Sequence, residues 1–213
     1  SPPKQRNLLF SLLKTEEEGD VLFELGEEIQ QDLVSNISNE ELIEAVKELE
    51  LDEIVDILQN LPEERMNKIL SNMSLVDRKR IEIGLTFPDN TAGGLLNTDV
   101  ISVRPNNSIN EVISYLRDQS DLPENTDKIF VVNNENEYLG ELLISRILTS
   151  KPTMLVREIM ETEFLPIDAG LDDKEVATIF ERNNLISSSV VDKDGKLIGR
   201  ITIDDVVDVI RED

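Results

Sequence analysis

The fold of the second half of the chain is decided by residues 190–206, which read Val190-Val191-Asp192-Lys193-Asp194-Gly195-Lys196-Leu197-Ile198-Gly199-Arg200-Ile201-Thr202-Ile203-Asp204-Asp205-Val206. Two apolar runs flank Asp194-Gly195, and an Asp-Gly pair between such runs is a strong signal for a β-hairpin. The segment that follows, 204–210, has apolar residues at helical spacing. A strand, a turn, a strand and a helix are therefore predicted in that order.

The same pattern occurs twice. Upstream of the quoted stretch, the residue pattern of 164–167 predicts a strand and that of 173–184 predicts a helix. One copy therefore has the order β-α-β-β-α. An earlier copy has predicted strands at 100–103, 129–132 and 139–143, helices at 109–119 and from 144, and a turn at 133–136. Two copies of roughly sixty residues predict a pseudo-symmetric pair.

Residues 1–86 have a different pattern of apolar residues, which is helical throughout. Apolar residues recur at helical spacing in short segments such as Leu42-Ile43-Val46-Leu49, Ile54-Val55-Leu58 and Met66-Ile69-Leu70. Helix-start signals separate them, at Ser38 to Glu41 and at Pro62 to Glu64. Helices of this length cannot bury an apolar stripe alone, so a stack of short helices is predicted.

Composition excludes several classes of function. The 213 residues include no Cys and no His, which removes disulfides, thiol nucleophiles, His general bases and ordinary zinc sites. There are 45 acidic and 21 basic residues, for a net charge of −24. Such a surface repels nucleic acid and attracts cations. No apolar run is long enough to span a bilayer.

A family resemblance rests on the motifs at residues 190–206, on the fainter Phe130-Val131-Val132 and Leu139 to Leu143, and on Val156 to Met160. These resemble a pair of CBS (cystathionine-β-synthase-type) domains. Residues 88–97, Pro-Asp-Asn-Thr-Ala-Gly-Gly-Leu-Leu-Asn, are similar to the segment that opens the CBS pair in MgtE-type magnesium transporters. A stack of short helices precedes that segment in the same family.

The resemblance implies a two-part α+β architecture: an N-terminal helical domain (1–86), CBS domain 1 (87–150) and CBS domain 2 (151–213). It also implies a homodimer formed through the CBS pairs, at the cytoplasmic face of the cell membrane, beneath a transmembrane pore of the same polypeptide. The implied role is to sense Mg²⁺ rather than to catalyse a reaction.

Two acidic stripes suit a weak Mg²⁺ sensor, because Mg²⁺ prefers oxygen ligands, keeps several waters and is usually held by one or two carboxylates. Asp52 and Asp56 share a face at i,i+4 spacing, and Asp205, Asp208 and Glu212 form a stripe on the last helix. From the residues alone, i,i+4 acid pairs of this kind are ordinary solvated helix surface, and only a family resemblance favours a metal site.

In the resembled family, cations bridge such acids and close the N-terminal domain onto the CBS pair. The resemblance therefore implies that Asp52 and Asp56 meet Asp205 and the backbone carbonyl of Gly94 through Mg²⁺. Asp208, Asp172 and Asp173 are further candidate ligands. High Mg²⁺ would then favour a closed state.

Two other functions remain open. CBS pairs often bind the ribose of adenine nucleotides through a Thr or Ser and an Asp three residues later, and Thr202 with Asp205 supplies that pair for ATP or AMP. The first copy has Leu143 and Arg146 there instead. Thr202 could also act only as a helix cap. The remaining alternative is a partner-binding scaffold. An enzyme is the poorest reading, since neither P-loop nor Rossmann glycines occur.

Overall fold

A computed structural model describes residues 3–10, 12–13, 15–47, 49, 51–119 and 121–212. The side chains of several residues in these ranges, Asp52 and Glu212 among them, fall outside the description. The chain divides into two compact units, unit 1 (Ser1–Thr86) and unit 2 (Phe87–Asp213). No helix in the described ranges is long and apolar enough to cross a membrane.

Unit 1 is a stack of short helices, as predicted. Its helices are α1 (Pro3–Phe10), α2 (Thr15–Glu24), α3 (Glu27–Asn36), α4 (Asn39–Ala45), α5 (Leu51–Gln59), α6 (Glu63–Asn72) and α7 (Leu75–Gly84). The predicted start of α4 is confirmed as a capping box, in which the Ser38 side chain accepts from the N–H of Glu41 and the Glu41 carboxylate accepts from the N–H of Ser38. Pro62 is the residue that precedes α6.

One apolar core holds unit 1 together. Its fully buried members include Leu22 of α2, Leu42 of α4, Leu58 of α5 and Ile69 of α6. Because each helix is only two to three turns long, its stability comes from this shared core rather than from its own hydrogen bonds. The predicted apolar segments of residues 42–49, 54–58 and 66–70 all contribute to it.

Unit 2 contains the two predicted β-α-β-β-α copies. The first has β1 (Ser102–Val103), α8 (Ile109–Arg117), β2 (Lys128–Val132), β3 (Tyr138–Leu143) and α9 (Ile144–Thr149), and α10 (Val156–Ile159) follows; the second has β4 (Ile167–Asp168), α11 (Asp173–Asn183), β5 (Ser187–Val191), β6 (Leu197–Thr202) and α12 (Ile203–Glu212). Each forms a three-stranded sheet, in the orders β1-β2-β3 and β4-β5-β6. In each sheet the first pair is parallel and the second antiparallel.

The two copies match at their turns. The hairpin of the second copy turns at Gly195, whose φ is +76°, and Asn136 has a φ of +66° at the corresponding place in the first. Asn tolerates this left-handed conformation better than other residues with side chains. Two predicted strands are shorter than expected, and β1 begins only at Ser102 instead of residue 100. β4 begins only at Ile167, and Leu165 is 86% exposed, because Pro166 and the exposed residues before it form no ladder.

The segment before each copy packs in the core of the other copy. Ala92 and Leu96 are buried in the core of the second copy, beside Val190 and Phe180. The backbone of Asn97 exchanges two hydrogen bonds with Arg200, at 2.9 and 2.8 Å. In the reciprocal arrangement, Val156 is buried in the core of the first copy. The backbone of Glu161 exchanges two hydrogen bonds with the backbone of Glu141, at 2.8 and 2.9 Å.

Candidate functional site

The acids predicted in unit 1 lie on α5. The side chain of Asp52 falls outside the described part of the chain, so its contacts stay a prediction. Asp56 is exposed; its carboxylate accepts from Gln59 Nε2 at 3.2 Å, and its carbonyl accepts from Asn60 Nδ2 at 3.0 Å. Val55 and Leu58 are buried on the opposite side of the helix. The amphipathic spacing therefore leaves the carboxylate of Asp56 at the surface.

The acids predicted on the last helix lie at the start and middle of α12. Oδ2 of Asp205 accepts from the N–H of Thr202 at 3.1 Å and from its hydroxyl at 3.0 Å. Thr202 is only 1% exposed, whereas Asp205 is half-buried. The structure thus brings together the two residues of the predicted ribose-binding pair. It also places Asp205 as a cap for the first turn of α12.

Asp208 is more exposed. Its Oδ1 lies 3.3 Å from the guanidinium of Arg211, in an i,i+3 ion pair whose two side chains are largely solvated. The predicted apolar side of α12 is only partly buried, since Val206 is 1% exposed and Ile210 57% exposed. An exposed pair of this kind contributes little to stability.

Asp172 and Gly94 lie at a shared corner of unit 2. Asp172 caps α11, accepting from the N–H of Lys174 at 3.1 Å, and Thr91 forms a bridge with Asp172. Asp173, in the first turn of the same helix, donates its N–H to the carbonyl of Asn90 at 3.2 Å. A Cβ at Gly94 would collide with the backbone carbonyl of Asp89, so this tight turn needs glycine. Asp172 is the N-cap of α11, a structural role that could have been predicted from an Asp directly before a helix.

The cleft beside Thr202 receives residues from the first copy. Ser187 lies opposite Thr202 in the ladder between β5 and β6, and its hydroxyl donates to Oδ1 of Asp127 at 2.5 Å. Asn125 Nδ2 donates to Oδ1 of Asp204 at 3.1 Å. Asp127 and Asn125 were not predicted. The repeat itself was the available signal, since β2 and β5 begin at equivalent places in the two copies.

The equivalent cleft of the first copy differs chemically. Leu143 and Arg146 occupy the places of Thr202 and Asp205, as the sequence predicted, and Arg146 lies 3.9 Å from Glu161. Lys128 stands where the second copy has Ser187 and forms a buried ion pair with Glu141 at 3.1 Å. Burial raises the pKa of Glu141, and the charge of Lys128 partly offsets that effect.

No group of three or more His, Cys, Asp or Glu side chains lies close enough to hold a metal ion, among the residues whose side chains are described. The predicted metal ligands therefore do not form one cluster within either unit. Asp205 is joined to Thr202, Asp172 caps α11, and Asp208 pairs with Arg211. The candidate cation ligands are separate acids, on α5 in unit 1 and on α11 and α12 in unit 2.

Comparison with known families and structures covers the whole chain. Residues 1–90 match the model of the MgtE intracellular N domain, and residues 92–151 and 156–212 match that of the CBS domain. The magnesium transporter MgtE of Bacillus subtilis is 25% identical over 98% of this chain. MgtE of Thermus thermophilus is 29% identical over 62% of it. The chain spans 46% of the first relative's length and 30% of the second's.

Solved structures agree. The cytosolic domain of the Mg²⁺ channel MgtE, crystallised in complex with ATP, superposes with a TM-score of 0.89 at 27% identity, covering 98% of this chain and 86% of that one. The soluble part of a magnesium transporter gives 0.85 at 25% identity, covering 100% and 84%. Family models and structures thus agree on the order of the domains. The chain belongs to the MgtE family, of which it contains the intracellular N domain and the CBS pair.

Proposed function

We propose that this chain is the Mg²⁺-sensing regulatory region of a magnesium transporter or channel, in which divalent cations bridge acidic surfaces of the helical and CBS units and favour a closed state. The observation that carries the proposal is that both units are strongly acidic. Unit 1 has 20 acidic and 9 basic residues and unit 2 has 25 and 12, for net charges of −11 and −13. Units of like charge repel, and hard dications relieve the repulsion.

The size of the effect is sufficient for a switch. Two carboxylates about 4 Å apart repel by about 1 kcal/mol in water and by several times that at a partly buried interface. Converting a mostly open population into a mostly closed one takes about 5.5 kcal/mol of differential binding. Several weak Mg²⁺ sites acting together supply that energy, and the response is steep in concentration because the sites act together.

The proposed ligands are Asp52 and Asp56 of α5, with Asp205 and the carbonyl of Gly94 on the CBS side. Support comes from the exposure of Asp56 and the partial exposure of Asp205, which leave both carboxylates accessible to a hydrated ion. Asp208 and Asp172 have supporting roles, because each already has a partner within unit 2.

The wider setting is also a proposal. The relatives named as magnesium transporters are more than twice as long as this chain, which supports a transmembrane pore in the same polypeptide, with this region at the cytoplasmic face of the cell membrane. We place the homodimer contact on the CBS pair. Exposed apolar side chains on its helices, Tyr115, Leu148 and Ile210, offer surface for a second copy. Catalysis has no part in this proposal.

Small-angle scattering and limited proteolysis across a Mg²⁺ titration test the proposal. The chain should become more compact and more resistant to protease as Mg²⁺ replaces chelator, and Asp52→Asn/Asp56→Asn should shift the midpoint to higher Mg²⁺. The matched control, Glu63→Gln/Glu64→Gln, removes two charges from the first turn of α6 and should leave the midpoint nearly unchanged. Equal compactness in chelator and in Mg²⁺ would rule the mechanism out.

A second function, adenine-nucleotide sensing, is favoured by the contact between Thr202 and Asp205. A carboxylate held at the start of α12 beside a buried hydroxyl is suited to ribose hydroxyls. A related cytosolic domain has been crystallised with ATP. We expect one ATP or AMP site per chain, since the other cleft has Leu143 and Arg146.

Calorimetric titration with ATP and with AMP, with and without Mg²⁺, tests this second function. Asp205→Asn should weaken nucleotide binding and should also shift the Mg²⁺ response. Thr202→Val should weaken nucleotide binding only. Asp208→Asn, on the same helix, is the control. If neither nucleotide releases or absorbs heat with the wild-type chain, the Thr202–Asp205 contact has only its capping role.

A further inference from the structure

Glu18 of α2 is a buried acid in the helical unit. It is 6% exposed, and its Oε2 is buried with no hydrogen-bond partner among the described residues. Leaving a buried carboxylate oxygen without a partner costs roughly several kcal/mol, so that such a group is normally paired, protonated or bound to a cation. Glu141 of unit 2, by contrast, is equally buried and has Lys128 at 3.1 Å. The described part of unit 1 provides Glu18 with no such cation.

The packing of α2 on α4 places a second carboxylate, that of Glu41, within electrostatic reach of Glu18. A Cβ at Gly19, the next residue, would collide with the carbonyl oxygen of Ala45, so the two helices approach very closely there. Glu41 lies one turn before Ala45 on α4. Burial raises the pKa of Glu18, and the negative charge of Glu41 raises it further. Two carboxylates on neighbouring helices therefore lie close enough to interact electrostatically.

Two polar groups near Glu18 already take part in other hydrogen bonds. One turn further along α2, the carbonyl of Leu22 accepts from Gln30 Nε2 of α3 at 3.1 Å. Glu41 uses its Oε2 to accept from the N–H of Ser38, at 3.4 Å, in the capping box. The cap holds the Glu41 side chain near the start of α4, where it is exposed to solvent. The contact thus has a buried carboxylate on one side and a solvated one on the other.

We propose that Glu18 and Glu41 bind a divalent cation at the contact between α2 and α4. This site belongs to unit 1 alone and is separate from the acids on α5 and α12. Mg²⁺ fits because it is commonly held by one or two carboxylates and completes its octahedron with water, which the solvated side near Glu41 admits. The ion would neutralise the buried charge and join α2 to α4.

Paramagnetic broadening by Mn²⁺ in the isotope-labelled full chain locates the ion. Mn²⁺ should broaden the backbone amide signals of Leu42 and Ala45, and added Mg²⁺ should restore them by competition. Glu18→Gln should abolish this broadening. Glu40→Gln, which removes an exposed charge from the same first turn of α4, should preserve it. Asp205→Asn should preserve it as well, which separates this site from the proposed bridging sites.

Thermal unfolding gives an independent readout. In chelator, Glu18→Gln should unfold at a higher temperature than the wild type, because a neutral amide replaces an unpaired buried charge. Mg²⁺ should then stabilise Glu18→Gln less than it stabilises the wild type. Broadening that persists in Glu18→Gln would overturn the proposal. So would a Glu18 carboxyl signal that responds to pH but not to Mn²⁺, since the group would then hold a proton instead.

Discussion

Lys128 Nζ lies 3.1 Å from Oε1 of Glu141, and both side chains are 5% exposed. Their strands pair with each other, so the two charges sit diagonally on one face of the sheet. Lys128→Met should destabilise unit 2 by about 3–5 kcal/mol at neutral pH, because Glu141 is left charged and buried. Denaturant unfolding measures this. Lys128→Met/Glu141→Leu should recover most of the loss, and a double variant no more stable than the single one would contradict the explanation.

The same pair sets a pH dependence. Burial raises the folded-state pKa of Glu141 above its value in the unfolded chain. The stability that this group contributes is thus fully present below the unfolded pKa and is lost as pH rises through the folded one. We expect the deficit of Lys128→Met to shrink as the pH is lowered, because protonation removes the unpaired charge. Unfolding curves of Lys128→Met at several acidic pH values test this, with Glu141→Gln as the variant lacking the titration.

The phenol of Tyr138 is expected to lose its proton only at a pH well above that of an ordinary tyrosine. Burial raises the pKa of its phenol to about 12, and a hydrogen bond with Ser189 opposes the shift only in part. The stability that the neutral phenol contributes is complete below pH 10 and is lost as pH rises toward the folded value. Ultraviolet titration of phenolate should show a step near the upper value that disappears in Tyr138→Phe. If that step remains, it belongs to another group.

Gly94→Ala should be destabilising by about 1–3 kcal/mol, since the new methyl group would press against the carbonyl of Asp89. The control is Gly26→Ala, where no atom lies within 4 Å of the added carbon and φ is −56°. That change should cost less than about 1 kcal/mol, a cost that arises because Gly26 is the N-cap of α3, where Ala is less favourable than Gly. Chemical denaturation compares the two. Equal destabilisation at the two positions would show that the close approach to Asp89 does not govern the effect at Gly94.

Arg65 joins three helices of unit 1. Its guanidinium donates to the carbonyls of Val34 and Ile37, at 2.6 and 2.8 Å, and to Asn39 Oδ1 at 3.0 Å. Arg65→Ala should cost about 2–4 kcal/mol, because a charged donor to the last carbonyls of α3 is lost. Lys68→Ala, on the same helix, loses only an exposed pair with Glu64 and should cost under about 0.5 kcal/mol. Thermal unfolding followed by circular dichroism distinguishes the two.

Much of the fold could be read from local signals. The capping box at Ser38, the Asp-Gly hairpin before Lys196 and the doubled β-α-β-β-α pattern each depend on residues close together in the chain. The strand predicted at 164–167 forms only from Ile167 onward, because Phe164 and Leu165 pair with no strand in the described part of the chain and remain exposed. Pattern alone does not reveal pairing partners.

The candidate site divides in the same way. Thr202 and Asp205 could be paired from their spacing, since three residues separate a cap from its partner in the first turn. Lys128 and Glu141 belong to different strands, and Glu18 comes within electrostatic reach of Glu41 only through the packing of two helices. Contacts of that kind depend on tertiary structure, which a linear pattern does not encode. The placement of Asp52 and Asp56 relative to Asp205 stays a prediction.

The reciprocal exchange in which Leu96 enters the second core and Val156 the first has a consequence for biosynthesis. As the chain leaves the ribosome, the first copy stays incomplete until the residues after α9 have emerged. The apolar residues near Ala92 remain without their core until β6 has been synthesised, which is later still. Unit 2 should therefore acquire its structure in one late step, and nascent chains halted between the copies should be open to protease and to chaperones.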